Sequence, residues 1–224
     1  MTDPALPRTI AIEGGHVSGL LLLPAQPKAI LVLAHGAGAG MRHPFMEGVS
    51  QRLAEQQIAT LRYQFPYMEK GLGRTDTPAV AAATVRAACA LARAEFPQLP
   101  LVAGGKSFGG RMTSTAQAEL PLPGVSGLVF LGFPLHPPKR PGITRAEHLS
   151  KVGIPMLFLQ GTRDDLADLG LIRDVTGRIS QVATLHIVEG GDHSFAVLKR
   201  SGRSADQVLD ELAETTAAWL TRLP

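Results

Sequence analysis

The chain has 224 residues, 45% of them hydrophobic and 18% charged, with a formal net charge of +3. That length and apolar content can bury a full core, so a disordered chain is excluded and one α/β domain spanning residues 1–224 is the simplest organisation. Lysines and arginines are scattered, with only Lys199, Arg200 and Arg203 loosely grouped, which reads as a solvated loop and predicts no nucleic-acid partner.

The N-terminus, Met1 to Arg8, carries an early acid, two prolines and no apolar stretch, so no secretory signal is expected. Apolar runs such as Leu20–Leu23 and Ala29–Ala34 are far too short to cross a bilayer. No membrane association is expected, and a cytoplasmic location is the default. Thr9 to Leu23 reads as two extended segments joined at Glu13-Gly14-Gly15-His16, a glycine pair suited to a hairpin turn. Ala29–Ala34 is uniformly apolar, as a central strand covered on both faces requires. It empties into His35-Gly36-Ala37-Gly38-Ala39-Gly40.

Pro44 suits the first position of a helix, along which Phe45, Val49 and Leu53 recur at four-residue spacing. Ile58–Tyr63 is the next strand, and the loop Gln64 to Arg74 after it is rich in aromatics for a chain that is only 5% aromatic. Thr77 and Pro78 open an alanine-rich helix that runs to about Glu95. The single cysteine, Cys89, lies among those alanines, where a buried side chain is expected, and it excludes any intrachain disulfide.

Leu101–Ala103 is a further strand, followed by a glycine-flanked turn and a helix from Phe108 to Leu120. Val125–Phe133, Ile154–Leu159 and Thr184–Val188 complete the strands; helical stretches are expected at Thr144–Ser150 and Leu166–Gly177. The last helix opens with a capping box, Ser204 with Gln207, and places Val208, Leu212, Thr215, Trp219 and Leu223 on one side. Strands alternating with helices predict a mostly parallel central sheet of about seven or eight strands with helices on both faces and an antiparallel hairpin at its N-terminal edge. Only 20 residues lie between Phe133 and Ile154, too few for a large lid domain.

The turn after Leu101–Ala103 is Gly105-Lys106-Ser107-Phe108-Gly109, a Gly-x-Ser-x-Gly pattern that chance supplies about 0.1 times in a chain of this composition. Between an apolar strand and a helix it matches a nucleophile elbow, where a serine holds a strained backbone and glycines let strand and helix pass closely. The plainer alternative is an ordinary capping serine in a glycine-rich turn. A serine hydroxyl needs a histidine to take its proton and an acid to orient that histidine. Catalytic groups of an open parallel sheet gather at the carboxyl ends of its strands.

Asp164 follows one strand end, 57 residues after Ser107, and His193 follows the next, 29 residues further on, in the order Ser, Asp, His that this architecture uses. Asp165 is the rival acid, read as the cap of the coming helix; Asp192 is a poor candidate beside His193. Of the seven histidines, His16 and His186 read as structural, and His35, His43, His136 and His148 lack the loop setting of His193. The oxyanion of an acyl-transfer intermediate needs preorganised donors, expected from the main-chain N–H of Phe108 and of Ala37.

On these residues the chain resembles the α/β hydrolases over essentially its whole length, and without a large lid it is similar to the dienelactone-hydrolase branch. More narrowly, His35-Gly36-Ala37-Gly38, Phe65-Pro66-Tyr67-Met68, Gly105 to Arg111 and Gly190 to Phe195 resemble a family of small hydrolase-like proteins that includes a subunit of a histone-acetylation complex. The resemblance implies an α/β-hydrolase fold and a serine hydrolase with Ser107, His193 and Asp164 as triad. Ser107 stands where dienelactone hydrolase has cysteine, which sets the dienelactone substrate aside.

The expected activity is cleavage of a small-molecule ester or thioester, with no metal and no organic cofactor; the sequence is silent on oligomeric state. The expected walls of the substrate site are Met41, Tyr63, Phe65, Tyr67, Pro134, His136 and Phe195, with Phe108, ordinary packing being the alternative. Lys106 and Arg111 are placed to draw an anionic substrate, against helix packing and a salt bridge as the plainer readings. Gly105-Lys106-Ser107 is no phosphate-binding loop, because the required first glycine falls at Pro100. A dinucleotide fingerprint after Ala34 has Met41 at its third glycine position and no acid at the next strand end; with Arg62 able to meet a phosphate it stays as a disfavoured alternative. The rival class is a non-catalytic interaction module on the same fold.

Overall fold

Neighbouring residues of a strand face opposite sides of a sheet, so strands that are apolar throughout must be covered on both. The computed structural model describes residues 5–223; the reading of Met1 to Pro4 lies outside them. Its strands are β1 (Leu6–Ile12), β2 (Gly15–Leu22), β3 (Ala29–Ala34), β4 (Ile58–Tyr63), β5 (Leu101–Lys106), β6 (Val125–Leu131), β7 (Met156–Arg163) and β8 (Ala183–Asp192). They form one sheet in the order β1-β2-β4-β3-β5-β6-β7-β8. β1 and β2 make an antiparallel hairpin, β2 runs antiparallel to β4, and β3 to β8 are mutually parallel.

The helices are α1 (Pro44–Glu55), α2 (Pro66–Glu69), α3 (Pro78–Glu95), α4 (Phe108–Glu119), α5 (Leu169–Arg178) and α6 (Ala205–Leu220). Strand alternation divides the core into two layers. Ile30, Val32, Leu101, Ala103, Leu128, Phe130, Met156 and Phe158 face α3, α4 and α5, whereas Leu31, Leu33, Val102, Val129, Leu131, Leu157 and Leu159 face α1 and α6. On the second face Met46, Val49 and Leu53 of α1 pack with Val208, Leu212 and Trp219 of α6. Burying each such side chain contributes about 1.5–3 kcal/mol.

Several boundaries differ from the sequence reading for identifiable reasons. Pro66 at the first position of α2 folds part of the aromatic loop into a helical turn. Thr144–Lys151 is a 3₁₀ helix. β8 absorbs Glu189–Asp192, read as loop, because its pairing with β7 continues past an irregularity to Arg163 opposite Asp192. α5 starts at Leu169 and is capped by Asp168, which accepts the Leu171 N–H at 3.0 Å, so Asp165 is not its cap. In α6 the capping box forms as expected, Thr216 is buried in place of Thr215, and Leu223 lies beyond the helix end. The connection from β6 to β7 carries only the 3₁₀ helix, and among the described residues no large lid covers the carboxyl ends of the strands.

Candidate active site

β5 ends at Lys106 and α4 begins at Phe108, leaving Ser107 alone to reverse the chain. It does so at φ 49 and ψ −113, a backbone shape that costs on the order of 1–3 kcal/mol outside glycine. Its N–H donates to Leu131 O at 3.1 Å and its carbonyl accepts from the Arg111 N–H at 3.0 Å, so neighbouring elements impose the shape. Close approach of α4 to β3 explains Gly109: a Cβ there would sit 2.6 Å from His35 O and 2.7 Å from the Ala34 carbonyl carbon. The Ser107 side chain makes no helix-capping bond. Its Oγ lies 2.8 Å from His193 Nε2 instead.

The Asp164 side chain, at the end of β7, is fully buried and surrounded by donors. Its Oδ1 accepts the Leu166 N–H at 2.8 Å, and its Oδ2 accepts from Gln160 Nε2 at 2.5 Å and meets His193 Nδ1 at 2.8 Å. An ionised carboxylate only accepts, so Nδ1 carries the imidazole proton and Nε2 is left to accept from the Ser107 hydroxyl. Asp165 is exposed. Asp192 shapes the turn that carries His193: its Oδ1 accepts the N–H of Ser194 at 2.8 Å and of Ala196 at 2.9 Å.

The loop after β3 faces this trio. His35, buried at its start, accepts the Phe65 N–H on Nε2 at 3.1 Å and lies 2.8 Å from Gly36 O through Nδ1. Burial pushes its pKa down to about 4, against the Gly36 carbonyl, which favours the protonated form. The Gly38 N–H donates to the Tyr67 hydroxyl at 3.1 Å and the Met41 N–H to Gln64 Oε1 at 2.8 Å, so the loop is held from α2 and its approach. Ala37 lies between buried His35 and the Gly38 anchor, exposed. Phe108 is the first residue of α4, where a main-chain N–H has no partner within the helix and the helix dipole is positive.

A cavity of about 450 Å³ opens between the loop and the trio, lined by Gly36 to Ala39, His43, Phe45, Met46, Lys106, Ser107, Leu166, His193 and Ser194. None of the expected wall residues Met41, Tyr63, Phe65, Tyr67, Pro134, His136 and Phe195 lines it; all are buried. Tyr63, Phe65, Tyr67 and Phe108 pack edge to face beneath the loop, with His35 among them. They support the site from below, as large apolar rings in an aromatic-poor chain are drawn to the core. His136 accepts the Asp168 N–H at 3.0 Å and holds the turn before α5. Ala39, His43, Phe45, Met46, Leu166 and Ser194 were missed; Leu166 and Ser194 sit beside the triad candidates Asp164 and His193 and Ala39 in the glycine loop after β3, whereas His43, Phe45 and Met46 come from the start of α1, which no local signal marks as lining.

Lys106 forms part of the cavity lining and its ammonium pKa is pushed down to about 8 by burial, partly opposed by Asp164 and Asp192. Arg111 has no acidic partner among the described residues and lies outside the cavity lining, so the expected salt bridge is not found. A second serine–histidine pair, Ser114 Oγ and His148 Nε2 at 2.7 Å, ties α4 to the 3₁₀ helix. Ser114 is wholly buried, and burial with the nearby Arg111 charge pushes the His148 pKa down to about 4. A cavity of about 420 Å³ at the opposite end of the sheet, beside Ala29, Ile58 and Leu220, contains neither pair. Among the described residues no three His, Cys, Asp or Glu side chains are grouped to hold a metal ion, and no helix is long and apolar enough to cross a membrane.

Residues 27–221 match the family model described as an alpha/beta hydrolase domain. The chain is similar in structure to a dienelactone hydrolase from Anabaena variabilis, with TM-score 0.76 and 20% identity over 100% of this chain and 99% of that one. A serine hydrolase without a lid from Xanthomonas campestris aligns with TM-score 0.75 and 20% identity, over 100% of this chain and 97% of that one. The esterase domain of a Rhodothermus marinus protein aligns with TM-score 0.74 and 18% identity, over 99% of both chains.

Proposed function

The chain belongs to the alpha/beta hydrolase domain family, and from that premise we propose that it is a serine hydrolase cleaving a small acyl ester or thioester through Ser107, His193 and Asp164. The observation that carries the reading is the bridging imidazole: His193 lies 2.8 Å from Ser107 Oγ on one side and 2.8 Å from Asp164 Oδ2 on the other. Such a relay is what activates an otherwise weak hydroxyl nucleophile.

In the proposed reaction the Ser107 oxygen attacks the substrate carbonyl while its proton passes to His193 Nε2. The resulting oxyanion is received by the N–H groups of Ala37 and Phe108, each worth about 3–4 kcal/mol in comparable sites. Asp164 holds the imidazolium in place. His193 then returns the proton to the departing alkoxide or thiolate, leaving an acyl group on Ser107. Water, deprotonated by His193, releases that group as the acid and restores the serine. These steps need neither metal nor organic cofactor.

A cavity of about 450 Å³ with Phe45, Met46 and Leu166 in its walls suits a short, largely apolar acyl group. Treatment with a neutral fluorophosphonate tests the assignment. The native protein should be labelled, Ser107→Ala not at all, and His193→Ala at least about 10³-fold more slowly. A folded native protein that takes no label supports the non-catalytic interaction module instead.

A further inference from the structure

Lys106 precedes the nucleophile, and the alternation of β5 turns it towards the α1 and α6 side, the side of Val102. The residue is 8% exposed, and its Nζ donates to the main-chain carbonyl of His193 at 2.5 Å. The same Nζ lies 5.5 Å from the ring centroid of Phe195 and 6.0 Å from that of Phe45, whose rings stack at 5.7 Å. Asp164 at the end of β7 and Asp192 at the end of β8 are the carboxylates facing it, with His193 on its turn and His43 at the start of α1. Neither carboxylate forms an ion pair with it among the described residues. A buried ammonium without an ion pair is a poor way to stabilise a fold.

Besides the bonds of the His193 ring to Ser107 and Asp164 and the stacking of Phe195 on Phe45, the turn carrying His193 is held by its own strand end, through the Phe195 N–H to Asp192 O at 2.9 Å, the Asp192 N–H to Ala196 O at 3.1 Å and the Asp192 side chain. Phe195 is itself at φ 63, a costly shape for an aromatic residue. Lys106 supplies the bond that ties this turn to the strand of the nucleophile. We propose that Lys106 is a positioning residue: its ammonium anchors the His193 main chain to β5 and thereby keeps the imidazole within reach of Ser107 and Asp164 together. The proposal rests on the serine-hydrolase reading and goes beyond it. It replaces the expected role in drawing an anionic substrate, since the ammonium is committed to a carbonyl and two ring faces.

Lys106→Met removes the donor and the charge at nearly constant shape, and Lys106→Gln keeps an N–H donor without charge. With native-like circular dichroism, Lys106→Met should label about 10- to 100-fold more slowly with a neutral fluorophosphonate, as expected for a misplaced base. On a neutral nitrophenyl ester its kcat should fall while KM changes little, and Lys106→Gln should recover part of the loss. The low-field proton resonance of the His193 Nδ1–H shared with Asp164 should broaden or vanish in Lys106→Met.

An unchanged labelling rate and resonance in Lys106→Met would overturn the proposal. A loss confined to carboxylate-bearing esters would overturn it in favour of anion recognition. Failure of both variants to fold would overturn it as well, since it assigns Lys106 no stabilising role in the fold. If the native protein takes no label, the hydrolase reading fails, while the resonance still reports whether Lys106 holds the imidazole.

Discussion

His35 Nε2 accepts the main-chain N–H of Phe65 at 3.1 Å, while its Nδ1 lies 2.8 Å from the carbonyl of Gly36. Only the neutral ring with its proton on Nδ1 satisfies both partners. Burial pushes the His35 pKa from 6.5 down to about 4, so the unfolded chain takes up this proton first as the pH falls. The associated stability is fully present above pH 6.5 and is lost between pH 6.5 and about 4, with His35 accounting for about 3 kcal/mol. Urea unfolding at pH 7 and pH 4.5 should show the drop, and His35→Gln should reduce it. A midpoint independent of pH across that range would contradict the assignment.

Tyr67→Phe deletes the hydroxyl that accepts the Gly38 N–H at 3.1 Å and leaves the ring packed against Phe108. The fold should lose only about 1 kcal/mol, the net worth of one hydrogen bond. Looser placement of the Ala37 N–H should lower kcat on a short-chain nitrophenyl ester about tenfold with little change in KM. Equal kcat in the two proteins would remove Tyr67 from the support of the loop.

The lowered pKa of Lys106 carries its own signature in stability. Between pH 8 and 10.5 the native lysine is largely neutral while the unfolded one is charged, so native stability rises with pH in that window. Relative to Lys106→Met the native protein should gain about 3 kcal/mol from pH 8 to 10.5, and its deficit should be constant below pH 8. Paired denaturant titrations along a pH series measure this, and parallel curves would show that the charge is not buried.

Gly109→Ala places a methyl group 2.6 Å from His35 O and must push α4 away from β3. Loss of about 2 kcal/mol or more is expected, together with failure of Ser107 to label even at temperatures where the variant is folded. Normal labelling would mean that the elbow tolerates a wider approach than this packing allows.

How much of this was legible depended on whether a residue type had one use or several. The nearness of Ser107, Asp164 and His193 could be read because glycine spacing locates a strand-to-helix turn and strand ends locate the rest. The two-sided sheet could be read because a run such as Ile30 to Leu33 has no polar face to offer. The cavity wall could not. An aromatic ring at a strand end either lines a cleft or supports it, and for Phe65 and Tyr67 the outcome turned on α2, a single turn of helix inside a stretch that looked like loop. Asp165 and Asp168 are both reasonable caps, and a shift of one turn in the start of α5 decided between them. Lys106 read as part of the turn because Gly104 and Gly105 hide the strand's continuation; only the structure, with β5 running to Lys106, gives its face and the carbonyl its ammonium reaches.

The most direct measurement of the central claim is intact-protein mass spectrometry with peptide mapping after exposure to a neutral fluorophosphonate. A single phosphonyl adduct on Ser107, formed by the native protein, absent in Ser107→Ala and about 10³- to 10⁴-fold slower in Asp164→Asn, is the predicted result. A folded native protein that gains no adduct, or gains it on a residue other than Ser107, would contradict the account.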